Sequence, residues 1–412
     1  MTTKKEKTIL HIDGDAFFVG VEMAKNPKLK RKAVVTGEER GIVSALSYEA
    51  KAIGIKRGMP IFQVKKNFPK VIILPGDYKS YVKYSGKMFN IVRRYADDVE
   101  EYSIDECFAD LTGTERLLKM NYKQIAEKIK KEINDELDIS VSIGLAPTKV
   151  LAKVASKYVK PNGLTIITKD SILDYLINTP IEKIWGIGPK TSEFLKRKGV
   201  ITAKDFIKKN ITWIRENLSK PYEILWNELR GEYLMEIDPI TKTTYSSVQK
   251  TRSFHPASND KVFLLSQLSK HAEEACAKAR YYKLVAKKMS FFLKTKNFEY
   301  CEHQISLTSP TNAAEILIPL IEANFNKVYK KNILYRTTGV TLRELVSDSI
   351  TQGDLFNNNS LNDKFKKIHE QIDSLENKFG KHMVYLASTH KAIKRKEKGT
   401  DSDDFERDLL FL

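Results

Sequence analysis

His11-Ile12-Asp13-Gly14-Asp15-Ala16-Phe17-Phe18 continues an apolar run from Thr8, and about ninety residues later Tyr102-Ser103-Ile104-Asp105-Glu106 lies between two further apolar runs. A buried strand ending at Asp13 presents a carboxylate at its tip, and a hairpin with Ser103 to Asp105 in its turn can lie beside it in one sheet. That arrangement gathers Asp13, Asp105 and Glu106. Carboxylates roughly 4 Å apart repel by about 4 kcal/mol per pair at a protein-like dielectric, so three together imply a metal or raised pKa values. A hard dication with oxygen ligands, such as magnesium, is the simplest resolution. An Asp-x-Asp pair alone more often caps a helix; the second acidic pair on a hairpin is what sharpens the reading. Residues two apart on a strand face the same way, so geometry admits Asp15 as a ligand. Three carboxylates and the Gly14 carbonyl already suffice, and Asp15 is read as a structural cap.

The 412 residues, 42% apolar, suggest two to four folded domains. Lys and Arg outnumber Asp and Glu by 70 to 52, a formal charge of +18 that favours a polyanionic partner. Residues 241 to 346 carry 17 basic and 8 acidic side chains, half the excess in about a quarter of the chain, whereas the tail from 347 has 11 and 12. This unevenness points to a basic surface. Cys107, Cys276 and Cys301 are too few and too scattered for a disulfide framework or a zinc site, which fits a reducing cytoplasm. Asp13 and Asp15 interrupt the first apolar stretch, arguing against a signal peptide, and no run approaches the roughly 18 apolar residues of a membrane span.

Along the chain, a strand at 8 to 12 leads to a helix from 16. Strands at 33 to 35 and 41 to 45 and a helix at 48 to 53 form a small lysine-rich insertion. Helical spacing returns at 81 to 95, then the hairpin of 99 to 102 and 106 to 111, a helix at 125 to 137, a strand at 139 to 145 and a helix at 149 to 158. The order suggests an α+β palm, an antiparallel sheet backed by helices. Short helices at 171 to 176, 181 to 185 and 189 to 198 follow. There Ile184-Trp185-Gly186-Ile187-Gly188-Pro189-Lys190 is a Gly-x-Gly turn opening a helix, able to offer free amides to a backbone phosphate. Residues 232 to 250 read as a linker before a β-α-β-β-α-β unit, with helices at 262 to 282 and 312 to 328 and strands near 288 to 294, 301 to 307 and 335 to 344.

The segments 11 to 18, 44 to 60, 102 to 106, 157 to 163 and 186 to 189, in that order over roughly residues 8 to 345, resemble the Y-family translesion DNA polymerases, the group containing bacterial DNA polymerases IV and V. The resemblance implies a multidomain α+β right hand: palm 1 to 16 and 77 to 168, fingers 17 to 76, a helix-hairpin-helix thumb 169 to 231, linker 232 to 250, little finger 251 to 346 and tail 347 to 412. It implies a cytoplasmic, monomeric, low-fidelity DNA polymerase without proofreading that extends a primer across damaged template with two Mg2+ ions. Asp13, Asp105 and Glu106 become the catalytic metal ligands, with the Gly14 carbonyl contributing. Phe18 falls at the steric gate, where a ring against the sugar leaves no room for a 2′-hydroxyl. Phe17 beside it reads equally as core.

Tyr48, Lys51 and Lys160 correspond to residues that hold the incoming deoxynucleoside triphosphate. Lys51 stands where many members have arginine, and Ala45 where many have a hydroxyl residue; a lysine cannot make arginine's two-pronged contact. Ser103 and Lys149 lie near the acids by motif. Gly186, Gly188 and Lys190 would grip primer backbone, and Arg252, Ser253, Arg336, Thr338 and Arg343 would meet DNA from the little finger. In the tail, Gln352-Gly353-Asp354-Leu355-Phe356 resembles the peptide by which bacterial polymerases bind the sliding clamp, with Gln352, Leu355 and Phe356 as anchors. Leu409 to Leu412 is a rival. A nucleotidyl cyclase would explain the acids but not the thumb or the basic unit; a non-catalytic DNA-binding module would leave three carboxylates repelling its own ligand.

Overall fold

Period-two alternation along the first strand explains the placement of every chemical group near it. The computed structural model describes residues 6–240, 245–350, 359–379 and 383–394. It divides into two units, one reaching Thr241 and one beginning at Lys242.

In the first unit β1 (Ile9–Gly14) is the middle strand of five. Leu10 and Ile12 face one side, into a core shared with α1 (Phe17–Lys25) and with the helices Tyr78–Val92 and Tyr122–Leu137, while Ile9 faces the other. His11, Asp13 and Asp15 follow Ile9 by parity.

A small subdomain comes next: β2 (Val34–Thr36), β3 (Ala45–Leu46), α2 (Tyr48–Ala52), α3 (Ile61–Asn67) and β4 (Ile72–Leu74), with sheet order β3-β2-β4. The strand expected at 41 to 45 is only Ala45–Leu46, because Gly37 and Gly41 take positive φ and bracket a 3-10 turn, Glu38–Arg40. A Cβ on Gly37 would lie 2.2 Å from the Ile42 carbonyl oxygen, so only glycine fits.

α4 (Tyr78–Val92) leads to β5 (Val99–Glu101) and β6 (Glu106–Asp110), the expected hairpin, and then to α5 (Thr114–Leu118) and α6 (Tyr122–Leu137). In α6, Asn121 caps with a reciprocal bond to Gln124, and the stripe Ile125, Ile129, Ile133, Leu137 is buried. β7 (Val141–Ala146) pairs antiparallel with β1, α7 (Lys149–Tyr158) packs across both, and β8 (Leu164–Ile166) runs parallel to β7, giving the order β5-β6-β1-β7-β8. Five helices complete the unit: α8 (Ile172–Leu176), α9 (Pro189–Arg197), α10 (Ala203–Lys208), α11 (Ile211–Asn217) and α12 (Lys220–Leu229). Their apolar faces join Ile9, Phe108 and α7 in a second core. The helix expected at 181 to 185 is only a 3-10 turn, Ile181–Lys183.

The second unit is β9 (Ser247–Ser258), α13 (Lys261–Tyr281), β10 (Leu284–Thr295), β11 (Tyr300–Thr311), α14 (Ala314–Asn324) and β12 (Tyr335–Ser347), the anticipated β-α-β-β-α-β order, in an antiparallel sheet β11-β10-β12-β9. Val248, Met289, Phe291, Leu293, Val340 and Leu342 bury one sheet face beneath α13 and α14. α15 (Asn359–Phe379) and α16 (His390–Lys394) return to this helical layer: Arg280 meets Asp373 with two 2.7 Å bonds, and His369 meets Glu315 at 3.0 Å. The anticipated clamp-binding residues Gln352, Leu355 and Phe356, and the rival Leu409 to Leu412, lie outside the described residues.

Candidate active site

The acids lie at one end of the first sheet. In the antiparallel β1–β6 register Asp13 stands opposite Glu106, and across β1–β7 it stands opposite Ser142. Paired residues share a face, so Glu106 and Ser142 look the same way as Asp13, toward α7. Asp105, in the hairpin turn, accepts the Gly14 amide on its carbonyl at 2.8 Å, and the Ser103 hydroxyl donates to its carboxylate at 2.6 Å. The backbone therefore fixes Asp105 beside Gly14. Glu106 closes the turn by accepting the Tyr102 and Ser103 amides on its carbonyl.

Countercharge comes from α7 and the loop after it. The Lys160 ammonium pairs with Asp13 and lies 3.5 Å from Asp15; Lys153 donates to Glu106 at 2.6 Å, and Lys157 is 3.7 Å from it. Burial pushes the Asp13 carboxyl up to about 6 against the pull of Lys160, with Glu106 adding to the rise. Burial opposes ionisation of Glu106 too, but the hydrogen bond and charge of Lys153, aided by Lys157, hold it below the usual range. Lysine ammonium groups thus supply the countercharge at Asp13 and Glu106, and the Asp13 carboxyl is raised as well. Among the described residues no three His, Cys, Asp or Glu side chains converge as a ready metal cage, and lysines engage two of the acids. The donors on offer, three carboxylates and a strand-end carbonyl, are all hard oxygens and suit a divalent ion of the magnesium type, which would also relieve the strain on buried Asp13.

Asp15 has a different environment. Its carboxylate accepts from the hydroxyls of Ser140 (2.7 Å) and Ser142 (2.8 Å) and from the Asn162 amide (2.7 Å), with the Tyr48 hydroxyl at 3.4 Å. These donors occupy its lone pairs and tie β1, β7 and the loop before β8 together, the work of a brace. Ala16 follows in the left-handed region at φ 48, a strained conformation for alanine, as the chain turns into α1.

The turn sends the next two rings in different directions. Phe17 is buried in the core, under a Gly14 whose absent Cβ would lie 2.9 Å from the Phe17 ring. Phe18 is half-buried and stacks on Tyr81 with centroids 4.3 Å apart and planes at 9°, which fixes its ring orientation. Tyr48 and Lys51 sit one turn apart on α2, with the Lys51 ammonium 6.0 Å from the Tyr48 ring centre and exposed. Lys160, expected on a triphosphate, rests here on Asp13.

Gly186 has φ +90 and Gly188 caps α9, with Pro189 at its first turn; both glycines and Lys190 are exposed, and a Cβ on either glycine would meet nothing within 4 Å. In the second unit the register divides the residues expected to meet DNA. Thr338 is fully buried, its hydroxyl 3.0 Å from His271 on the helix-covered face, and Arg252 is its cross-strand partner. Thr338 is thus corrected from a surface contact to a core residue. Ser253 instead bonds Thr337, and Arg343 reaches Ser290 (3.1 Å) and Glu302 (2.9 Å). Arg336 covers the Phe298 ring at 4.4 Å.

Several site groups escaped the sequence reading. Lys153 and Lys157 fall between the anticipated Lys149 and Lys160 at intervals of three or four residues, a helical stripe that marks a basic face aimed at the acids. Lys149 itself pairs with Glu100 rather than with the three acids. Ser140 and Ser142 gave no local signal. His11, buried with its Nδ1 2.7 Å from Ser156, also lies beside this stripe.

Residues 12–157 match the model of the impB/mucB/samB family, 245–355 match that family's C-terminal domain, and 169–200 match the IMS family HHH motif. DNA polymerase IV 1 of Bacillus subtilis is 32% identical over 411 residues, 98% of each chain, and DNA polymerase IV of Ureaplasma parvum is 30% identical over 360 residues, 86% of this chain and 99% of that one. Among solved structures, a Y-family DNA polymerase chimera of Dbh and Dpo4 superposes with a TM-score of 0.69 at 24% identity, over 82% of this chain and 99% of that one. An insertion ternary complex of Dbh DNA polymerase gives 0.54 at 25% identity over the same shares.

Proposed function

The chain belongs to the impB/mucB/samB family, the Y-family translesion DNA polymerases, and on that premise we propose that it adds deoxynucleotides to a DNA primer across damaged template, without proofreading. The observation that carries the active-site assignment is the β1–β6 register, which sets Asp13 against Glu106 with Asp105 bonded to Gly14 beside them. Asp13, Asp105, Glu106 and the Gly14 carbonyl would hold two divalent ions, Mg2+ in the cell. When bound, these would supply Lewis-acid activation of the primer hydroxyl and charge neutralisation at the leaving pyrophosphate.

The chain's own residues bind, orient and exclude. Lys160 exchanges Asp13 for the triphosphate as the nucleotide arrives, which frees a carboxylate while cancelling phosphate charge. Tyr48 donates its hydroxyl and Lys51 adds a point charge from the same helical face. Phe18, held flat on Tyr81, closes the space a 2′-hydroxyl would need. The Gly186–Gly188 turn offers the amides of the α9 N-terminus to primer backbone, and the basic second unit adds sequence-independent contacts from Ser253, Arg336 and Arg343, Arg252 sharing the helix-covered face with Thr338. Primer extension with magnesium, wild type against Asp105→Ala, tests the assignment: extension should vanish with Asp105, and extension that survives its loss contradicts the mechanism.

A further inference from the structure

Lys153 is buried on α7, and its partners come from two separate parts of the chain. Its ammonium is 2.6 Å from Glu106 Oε2, 4.1 Å from the Tyr102 ring centre, 5.1 Å from that of Trp185 and 6.0 Å from that of Phe108. The Trp185 Nε1–H donates to the Tyr102 hydroxyl at 2.9 Å, and its ring stacks on Phe108 with centroids 5.8 Å apart. Tyr102 opens the hairpin turn that carries the acids, and Trp185 immediately precedes Gly186. One indole therefore touches the acid hairpin, the buried lysine and the Gly-x-Gly turn.

We propose that Trp185 is a positioning residue for Glu106, acting through Lys153, so that the primer-gripping turn and the acid end of the sheet behave as one piece. The inference rests on Glu106 being a metal ligand. A buried ammonium whose sole stabiliser is one carboxylate competes with any dication for that carboxylate. Aromatic faces attract the ammonium independently of Glu106. With the cage in place Lys153 remains solvated by the rings when Glu106 shares its charge with an ion; without it, Lys153 holds Glu106 back.

A double-mutant cycle on the full chain tests this, with Mn2+ affinity measured by calorimetry without DNA and kcat and KM for single-nucleotide insertion measured alongside. Trp185→Leu should weaken Mn2+ binding and lower kcat by roughly three- to tenfold each, the scale of one lost cation–π contact. Trp185→Phe, which keeps a ring face, should recover most of both. In a Lys153→Met background Trp185→Leu should have no further effect on Mn2+ affinity. Trp185→Leu that raises only the KM for primer-template, a Phe variant as impaired as the Leu variant, or equal losses with and without Lys153 would each overturn the proposal. If Trp185→Leu does not fold, the same cycle run with Trp185→Met, a longer apolar side chain without a ring face, decides, coupling supporting and additivity refuting. Asp105→Ala in parallel separates failure of the polymerase reading, in which extension is indifferent to Asp105, from failure of the cage.

Discussion

Asp15→Ala would remove one acceptor from three donors: the Ser140 hydroxyl at 2.7 Å, the Ser142 hydroxyl at 2.8 Å and the Asn162 amide at 2.7 Å. Leaving a buried donor without a partner costs roughly 1–3 kcal/mol. Ser140 can recruit water, but Ser142 is wholly buried, so a total of about 4 kcal/mol is expected. Against the roughly 5–15 kcal/mol that stabilises a typical protein this is severe, and it corresponds to a melting-point drop of about 10 °C for the first unit. Asp15→Asn should be milder, about 1–2 kcal/mol, because the amide oxygen still accepts and the amide nitrogen can donate to a serine oxygen. Thermal melts paired with Mn2+ titration separate the brace from a ligand. The brace predicts that Asp15→Asn loses stability yet binds Mn2+ as the wild type does, while Asp105→Ala does the reverse. An Asp15→Asn protein that melts normally but has lost the ion would refute the reasoning.

Phe18→Ala should erode the preference for deoxyribose in single-nucleotide insertion and, by losing the Tyr81 stack, cost about 2 kcal/mol of stability; an unchanged sugar preference rejects the gate. The Asp13 carboxyl, raised to about 6 above its ordinary 3.8, makes the ion-free protein less stable as pH rises through that window, since the folded state holds the proton more tightly. By the same competition Mn2+ affinity at pH 5 should be about tenfold below that at pH 8, and a flat profile would exclude Asp13 as ligand. Arg280→Ala strands Asp373, and an uncompensated partly buried charge costs about 3 kcal/mol. Amide exchange in α15 should then accelerate, whereas unaltered protection would mean that other contacts hold the helix. Capture by a sliding clamp should be lost on replacing Leu355 and Phe356 with alanine; undiminished capture moves the role to the C-terminus or removes it.

The apolar run at 8 to 12 made the first strand legible, and the acids at its tip and on the hairpin turn pointed from the sequence toward a divalent ion. The same local rules exposed the Gly-x-Gly turn, the apolar stripe of α6 and the β-α-β-β-α-β order of the second unit, because each depends on neighbours within one element. The strand expected at 41 to 45 shrinks to Ala45–Leu46 because Gly37 and Gly41 reverse the chain where apolar content alone suggests extension.

The sequence sets Asp15 apart as a cap, but which groups claim Asp13 and Asp15 belongs to the tertiary structure. Parity puts both on one face of β1, but Asp15 is claimed by serines more than 120 residues away, whereas Asp13 is left to Lys160 and Glu106. Likewise Arg252, Thr338 and Arg343 read as one DNA-facing set until strand register sent Thr338 into the core and Arg343 to Glu302. A sequence states which way a side chain leaves its own strand or helix. What waits on the other side, a lysine, a serine or a ring, is decided only when distant segments are packed together, and that partner determines whether a buried carboxylate is a brace or a ligand.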